Sequence, residues 1–367
     1  DPDVVFPPLD AYWSVNNTPN VGTGSIDNGE IGTSFYRGDI DSLFLLGDED
    51  VDTEEFDIFV VAHEWGHYFE DTLSRSDSTG GSHNFVQYLD PRLAFGEGFG
   101  NAVSAMINDG SIYYDTLDSQ QAGGFQFDLE NNDLTAANRG WFSERSVQAI
   151  LYDIFDSNAD TGDTLAVGFT PIYEVLVGAQ ANGVPFTTIF PFVEAFKAEN
   201  PASAGALDSA LTLQRISTNS DGYGNNETEG AGRADLTLPI YTTLTLNAAA
   251  VEVCSSNAFD PGEAGNKLAV RQYLRFSIPV DGNYTISVVT NNPPAVGSSD
   301  PDALVYQGQR FITFAQSGVA NQETINLPGL TAGDYAMDVY EFSYRSGAPA
   351  AIAQPNDRTC FDITLTN

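Results

Sequence analysis

The chain has 367 residues, more than one domain ordinarily holds, so two domains are expected. With 51 acidic against 14 basic residues, a formal net charge of −37, it is a poor match for nucleic acid or an anionic membrane surface, both of which need Lys and Arg. Hydrophobic residues at 42% and aromatics at 12% supply enough apolar material for real cores, which argues against disorder.

Up to about residue 50 the chain alternates turn signals (Gly22, Gly24, Asn28-Gly29, Gly32) with short apolar runs. Ser34–Arg37 and Leu43–Leu46 read as strands, either of which could align an extended peptide by strand addition. Asp52-Thr53-Glu54-Glu55 reads as a helix opening, because short polar residues cap N-termini and acids suit the positive end of the helix dipole. That helix is predicted to run to Leu73, with a Ser/Asp/Gly loop following from Ser74 to Asn84. Asp90-Pro91 is a second start signal, for a helix from Pro91 to Ile107 whose Gly96, Gly98 and Gly100 permit close approach to a neighbour. Further helices are predicted over Ser143–Phe155, Pro171–Ala181, Thr188–Glu199 and Ala202–Arg215, so that 52–215 is mainly helical.

Residues 219–233 have no periodic apolar face and read as a linker. Beyond Leu236 the pattern alternates like strands: Tyr241–Leu246, Gln272–Pro279, Asn283–Val289, Arg310–Phe314, Glu323–Leu327, Asp334–Tyr340 and Phe361–Leu365, the spacing of a β-sandwich. The expected fold is therefore α+β: residues 1–235 β-rich at first and then mainly helical, and residues 236–367 a β-sandwich. The only two cysteines, Cys254 and Cys360, both fall in the second part. A disulfide between them would imply an oxidising compartment and could contribute up to ~4.7 kcal/mol in the chain-entropy model. No stretch is long and apolar enough to span a bilayer. A start at Asp1-Pro2 without methionine is expected of a processed form.

The chemistry is concentrated in His63-Glu64-Trp65-Gly66-His67. On a helix, histidines four apart share a face about 6 Å apart along the axis, so both imidazoles reach one zinc ion. Glu64 flanks that face and can take a proton from an attacking water without binding metal. Catalytic zinc needs a third protein ligand and an open position. The longer motif with a third histidine is excluded, since it needs Gly and His where Glu70 and Leu73 stand. Asp71 is placed to support a metal-bound imidazole from behind, and His83 falls in the Ser/Gly loop and reads as solvent-exposed. Glu97, set among glycines and phenylalanines, is the best third ligand, because a carboxylate in such surroundings needs a partner.

HEWGH followed by Gly96-Glu97-Gly98 on a second helix resembles the gluzincin metallopeptidases, and among them the thermolysin-like and fungalysin-like branch. The resemblance covers about residues 50–160. It implies zinc on His63, His67 and Glu97, Glu64 as general base, and a protein or peptide substrate. Two departures stand out. Where such enzymes carry an aspartate four residues after the ligand glutamate, this chain has Asn101, which can accept an imidazole N–H but adds no charge. They also use a late histidine on the oxyanion, and no histidine follows His83. Tyr152, Tyr173, Tyr223 and Arg145 are the substitutes considered, with Tyr152 preferred because its helix resembles a fungalysin segment.

Calcium is a second candidate cofactor, for the acids Asp48, Glu49, Asp50 and Asp52, although capping and a solvated loop explain that run more simply. Residues 240–367, with Tyr273–Pro279, Asp300–Tyr306 and Leu330–Tyr335, resemble the bacterial pre-peptidase C-terminal domain, which implies a sandwich attached to a secreted hydrolase. The expectation is an extracellular or periplasmic zinc peptidase. The rivals are a weakly active or inactive zinc-containing binding or adhesion protein, and a zinc aminopeptidase.

Overall fold

The computed structural model describes residues 5–22, 24–130, 135, 138–157, 164–259, 265–293, 298–345 and 358–367. The architecture is mixed α+β, with seven α-helices, several sheets and no closed barrel among the described residues. No described helix is long and apolar enough to cross a membrane.

The N-terminal runs form a three-stranded sheet of β1 (Asp10–Trp13), β2 (Phe35–Arg37) and β3 (Ser42–Leu45), in the order β1-β3-β2. β3 is the middle strand, so its backbone groups are already paired on both sides and only β2 offers a free edge near the helices. This removes Leu43–Leu46 as a peptide-aligning edge. Gly47–Asp48 (β4) and Asp52–Thr53 (β5) follow. The expected helix opening at Asp52–Glu55 is instead a strand and a 3₁₀ turn over Glu54–Phe56, and α1 spans Ile58–Leu73. Asp57, at the junction, does not cap α1; its carboxylate accepts from Thr116 Oγ1.

α2 (Pro91–Asn108) starts at Asp90, whose side chain accepts from the Arg92 backbone N–H. It lies between α1 and α3 (Glu144–Phe155), and glycines set both distances. A Cβ on Gly66 would meet Val103 Cγ1 at 2.6 Å, and one on Gly98 would meet Val147 Cβ at 2.6 Å. The core here joins Phe59 and Val60 of α1, Phe95, Phe99 and Val103 of α2, and Val147, Ile150 and Leu151 of α3. A hairpin of β6 (Ile112–Leu117) and β7 (Gly123–Asp128) interrupts the region read as helical, and β6 pairs with β5. Helices α4 (Phe169–Val175), α5 (Ile189–Glu199), α6 (Ala204–Leu213) and α7 (Ala234–Thr237) complete this part; α4 continues into a π turn over Leu176–Gln180.

The remaining strands are β8 (Tyr241–Thr243), β9 (Val251–Ser256), β10 (Arg271–Ile278), β11 (Gly282–Thr290), β12 (Pro301–Gln307), β13 (Arg310–Ala315), β14 (Gln322–Leu330), β15 (Gly333–Glu341) and β16 (Arg358–Thr366). They form two sheets, β13-β12-β15-β10-β8 and β14-β11-β16-β9, packed over a core that includes Leu274, Ile286, Val305, Met337 and Ile363. β9 was not foreseen. Its Cys254 lies opposite Cys360 of β16, and the two form a disulfide across a sequence separation of 106.

The five-stranded sheet also contacts the helical part. Tyr241, Tyr273 and Ala336 belong to the first core, beside Phe186. Below them Arg92, 3% exposed, bonds Asp90 and reaches Asp338 Oδ2 at 3.0 Å, while Tyr273 Oη donates to Asp90 at 2.6 Å. The N-terminus of α2 is thus keyed to β10 and β15 by buried charges that are each paired, the condition under which burial of charge is tolerated.

Candidate metal centre

α1 carries His63 and His67 toward Glu97 of α2, with Glu64 beside them turned toward β2. His63 Nε2 lies 3.0 Å from His67 Nε2 and 3.2 Å from Glu97 Oε2, and His67 Nε2 lies 3.5 Å from the same oxygen. Donors around a tetrahedral ion with bonds of 2.0–2.2 Å stand about 3.3–3.6 Å apart; the three separations of 3.0–3.5 Å are slightly tighter, so a small outward shift of the rings would seat one zinc ion. The tautomer agrees. Asn101 Oδ1, 2.9 Å from His63 Nδ1, accepts that nitrogen's proton, and Asn101 Nδ2 donates to Gln148 Oε1 at 2.9 Å. His63 Nε2 then presents a lone pair to another imidazole and to a carboxylate, an arrangement that a cation between them relieves.

The electrostatics point the same way. Burial would lower His67, but Glu97 first, then Glu64 and Glu70, outweigh it and push His67 up to about 9. Burial would raise Glu97, yet the charge of His67, with hydrogen bonds from His67 and His83, holds it well below the ordinary carboxylate range. The pocket therefore favours positive charge at its centre.

Glu64 is buried, and its Oε2 accepts the backbone N–H of Tyr36 on β2 at 2.8 Å. The free edge strand and the carboxylate on α1 are thus joined directly. Asp71 takes no part at His67; its Oδ2 accepts from the Tyr36 hydroxyl at 3.0 Å. The carboxylate beyond His67 on the same helix that does act on it, after Glu64, is Glu70, 1% exposed and facing Gly96 of α2. Burial pushes Glu70 up to about 8, with His67 opposing. Tyr152 stands apart on α3: after burial, the strongest influences on its hydroxyl are Glu130, Asp156, Asp109 and Asp128. Tyr113 of β6 is the tyrosine beside the site, packed edge-on to His63 and influenced by Glu64 and Glu97.

His83 is the main correction. The loop after α1 brings it back to α2, with Nε2 3.4 Å from Glu97 Oε2 and 3.2 Å from Glu144 Oε2 of α3. Its side chain is 25% exposed, against 2% for Glu144. Sequence reading missed His83 because local composition says nothing about where a loop returns; the signal available was its rarity, one of three histidines in the chain. Glu144, in the first turn of α3 behind the Ser143 cap, carries no sequence signal that sets it apart from other first-turn acids.

No family model matches the sequence, and no curated protein does. Among solved structures the chain is similar to the pre-peptidase C-terminal domain of a Bacillus anthracis collagenase, at 12% identity over 34% of this chain and 93% of that one, TM-score 0.24. It is also similar to CorA, a surface-associated copper-binding protein of Methylomicrobium album BG8, at 10% identity over 34% and 98%, TM-score 0.24. A third likeness is to the secreted serine protease VesC of Vibrio cholerae, at 12% identity over 37% and 27%, TM-score 0.20.

Proposed function

We propose that this chain is an exported zinc peptidase of the gluzincin type, cleaving internal bonds of protein or peptide substrates. The observation that carries the reading is the convergence of His63 Nε2, His67 Nε2 and Glu97 Oε2 to within 3.0–3.5 Å of one another, with Glu64 next to His63 on the same helix. Zinc, when held there, polarises a scissile carbonyl and lowers the pKa of a water to near neutrality.

The chain's own groups do the rest. Glu64, oriented by the Tyr36 N–H, takes the proton of the attacking water and passes it to the leaving amine. His83, held through Nδ1 by the Gly81 carbonyl, turns its Nε2–H from Glu144 to the developing oxyanion, the role no later histidine can fill. The part of the β2 edge not taken by the Tyr36–Glu64 contact receives an extended substrate by strand addition. The disulfide supports export, since such bonds persist in oxidising compartments.

A second reading has an observation of its own. His83 Nε2 lies 3.4 Å from Glu97 Oε2 but clusters with Glu97 and Glu144, apart from the His63–His67–Glu97 group, so only a shift of its loop toward the two histidines would make it a fourth protein ligand, closing the centre and making it structural. That is the binding-protein alternative. The test is cleavage of casein and a mixed peptide library by protein loaded with one zinc per chain, alongside Glu64→Gln. A peptidase cleaves and loses about 10²–10⁴-fold in Glu64→Gln while keeping its zinc. Equal cleavage by both, or none by the zinc-loaded wild type, removes the proposal. Cleavage confined to substrates with a free N-terminus would reassign it to an aminopeptidase.

A further inference from the structure

Ahead of α1, a second cluster of donors assembles from Asp52 of β5, Glu54 of the turn after it and Asp115 of β6. One carboxylate oxygen from each lies within 4.8 Å of the others. Asp52 Oδ1, Glu54 Oε2 and Asp115 Oδ1 are all buried and accept no hydrogen bond. Glu54 is only 3% exposed, and its other oxygen accepts from Ser34 Oγ at 3.0 Å. Asp57, adjacent and fully buried, is already engaged by Thr116. After burial, the charges acting on the three are all further acids: Asp48, Asp57 and Asp115 on Asp52; Asp115, Asp52 and Asp57 on Glu54; Asp57 on Asp115.

We propose that Asp52, Glu54 and Asp115 hold a calcium ion that fastens β5 to β6 at the entrance to α1. Three buried carboxylate oxygens without a donor or a basic partner are costly to keep charged, and a cation removes that cost. The ligand set is oxygen throughout, which suits a hard cation and not the zinc favoured by imidazoles. Oxygens 2.3–2.6 Å from one ion can stand up to about 5 Å apart, so the observed spacing fits. The location gives the ion a purpose. β5 and β6 share one backbone register pair, Asp52 with Leu117, and β5 leads through a single turn into the helix that carries His63, Glu64 and His67. The competing account is a neutral site in which Glu54 keeps its proton; burial and acid neighbours push Glu54 up to about 9, Asp52 to about 7 and Asp115 to about 6.

The experiment is thermal unfolding of the full chain at pH 7.5, zinc-replete and cleared of calcium, with and without about 10 mM CaCl2, saturating for the 10⁻⁴–10⁻³ M range of extracellular sites. The expected result is a rise in Tm of about 3–6 °C. The rise is lost in Glu54→Gln and in Asp115→Asn, and kept in His67→Ala, which separates this site from the histidine centre. No rise in the wild type, or an undiminished rise in both carboxylate variants, overturns the proposal. Calorimetric titration with CaCl2 supplies the check if either variant folds poorly: wild type binds one calcium per chain, and absence of binding ends the case.

Discussion

Asn101 Oδ1 accepts the Nδ1 proton of His63 at 2.9 Å, and that contact decides which ring nitrogen faces Glu97. Gln148 then holds the asparagine amide at 2.9 Å, so α3 orients the imidazole through α2. Asn101→Ala should therefore lower zinc affinity by about 10–100-fold, read by competition with a chromogenic chelator. Asn101→Asp should restore or exceed wild-type affinity, because a carboxylate makes the imidazole more basic. Unchanged affinity in Asn101→Ala would mean that the ring is oriented by packing alone.

His83 distinguishes the open centre from the closed one. If it faces the oxyanion, His83→Gln lowers kcat by about 10²–10³-fold with little change in KM or zinc affinity. If it closes the coordination sphere, the same substitution strips zinc and there is no wild-type activity to lose. Zinc affinity measured beside kinetics decides between them.

Gly100 shows how tightly α2 presses on the histidines. A Cβ there would meet His63 Cε1 at 2.8 Å and Nδ1 at 2.9 Å. Gly100→Ala should displace the ring, cost about 1–3 kcal/mol and weaken zinc binding. Gly205 in α6 is the control: a Cβ there meets nothing within 4 Å, so Gly205→Ala should be neutral or stabilise by up to ~1 kcal/mol. Denaturant melts of both variants test the contrast, and similar losses in the two would contradict it.

The buried Asp90–Arg92–Asp338 network should set the acid limit of stability. Burial opposes ionisation of Asp90, but the Arg92 charge, with hydrogen bonds from Arg92 and Tyr273, holds its carboxyl below the ordinary 3.8. With the folded value depressed, the unfolded chain binds the proton first as pH falls. The contribution is therefore complete above about pH 5 and is lost as pH drops through the folded value. Asp90→Ala should cost about 3 kcal/mol at pH 7, because it removes one of the two carboxylates that pair the buried Arg92 and leaves Tyr273 Oη without its acceptor, and should flatten Tm against pH below about 5. An acid limb of unchanged slope in the variant would assign acid unfolding to other carboxylates.

How much of this was legible beforehand differs from element to element. Helix limits for α2, α3 and α5 follow from caps and periodicity, which are local, and the alternation after Leu236 carries the sandwich for the same reason. The β6–β7 hairpin was missed because nothing in its short run outweighs the helical ground on either side. Asp71 and Glu70 stand four and three residues after His67, so both can neighbour it along a helix. Only the path of α2, passing over Glu70 with Gly96, selects one. The sequence by itself determined the chemistry of α1, because two imidazoles and a carboxylate at i, i+1 and i+4 share a face wherever the helix sits. Tertiary structure alone decided what meets that face: Glu97 from 30 residues beyond His67, His83 on a returning loop, Glu144 from α3, and Asp115 opposite Asp52 and Glu54. Those meetings depend on which apolar surfaces pack together over long separations, and no local pattern of residues encodes that.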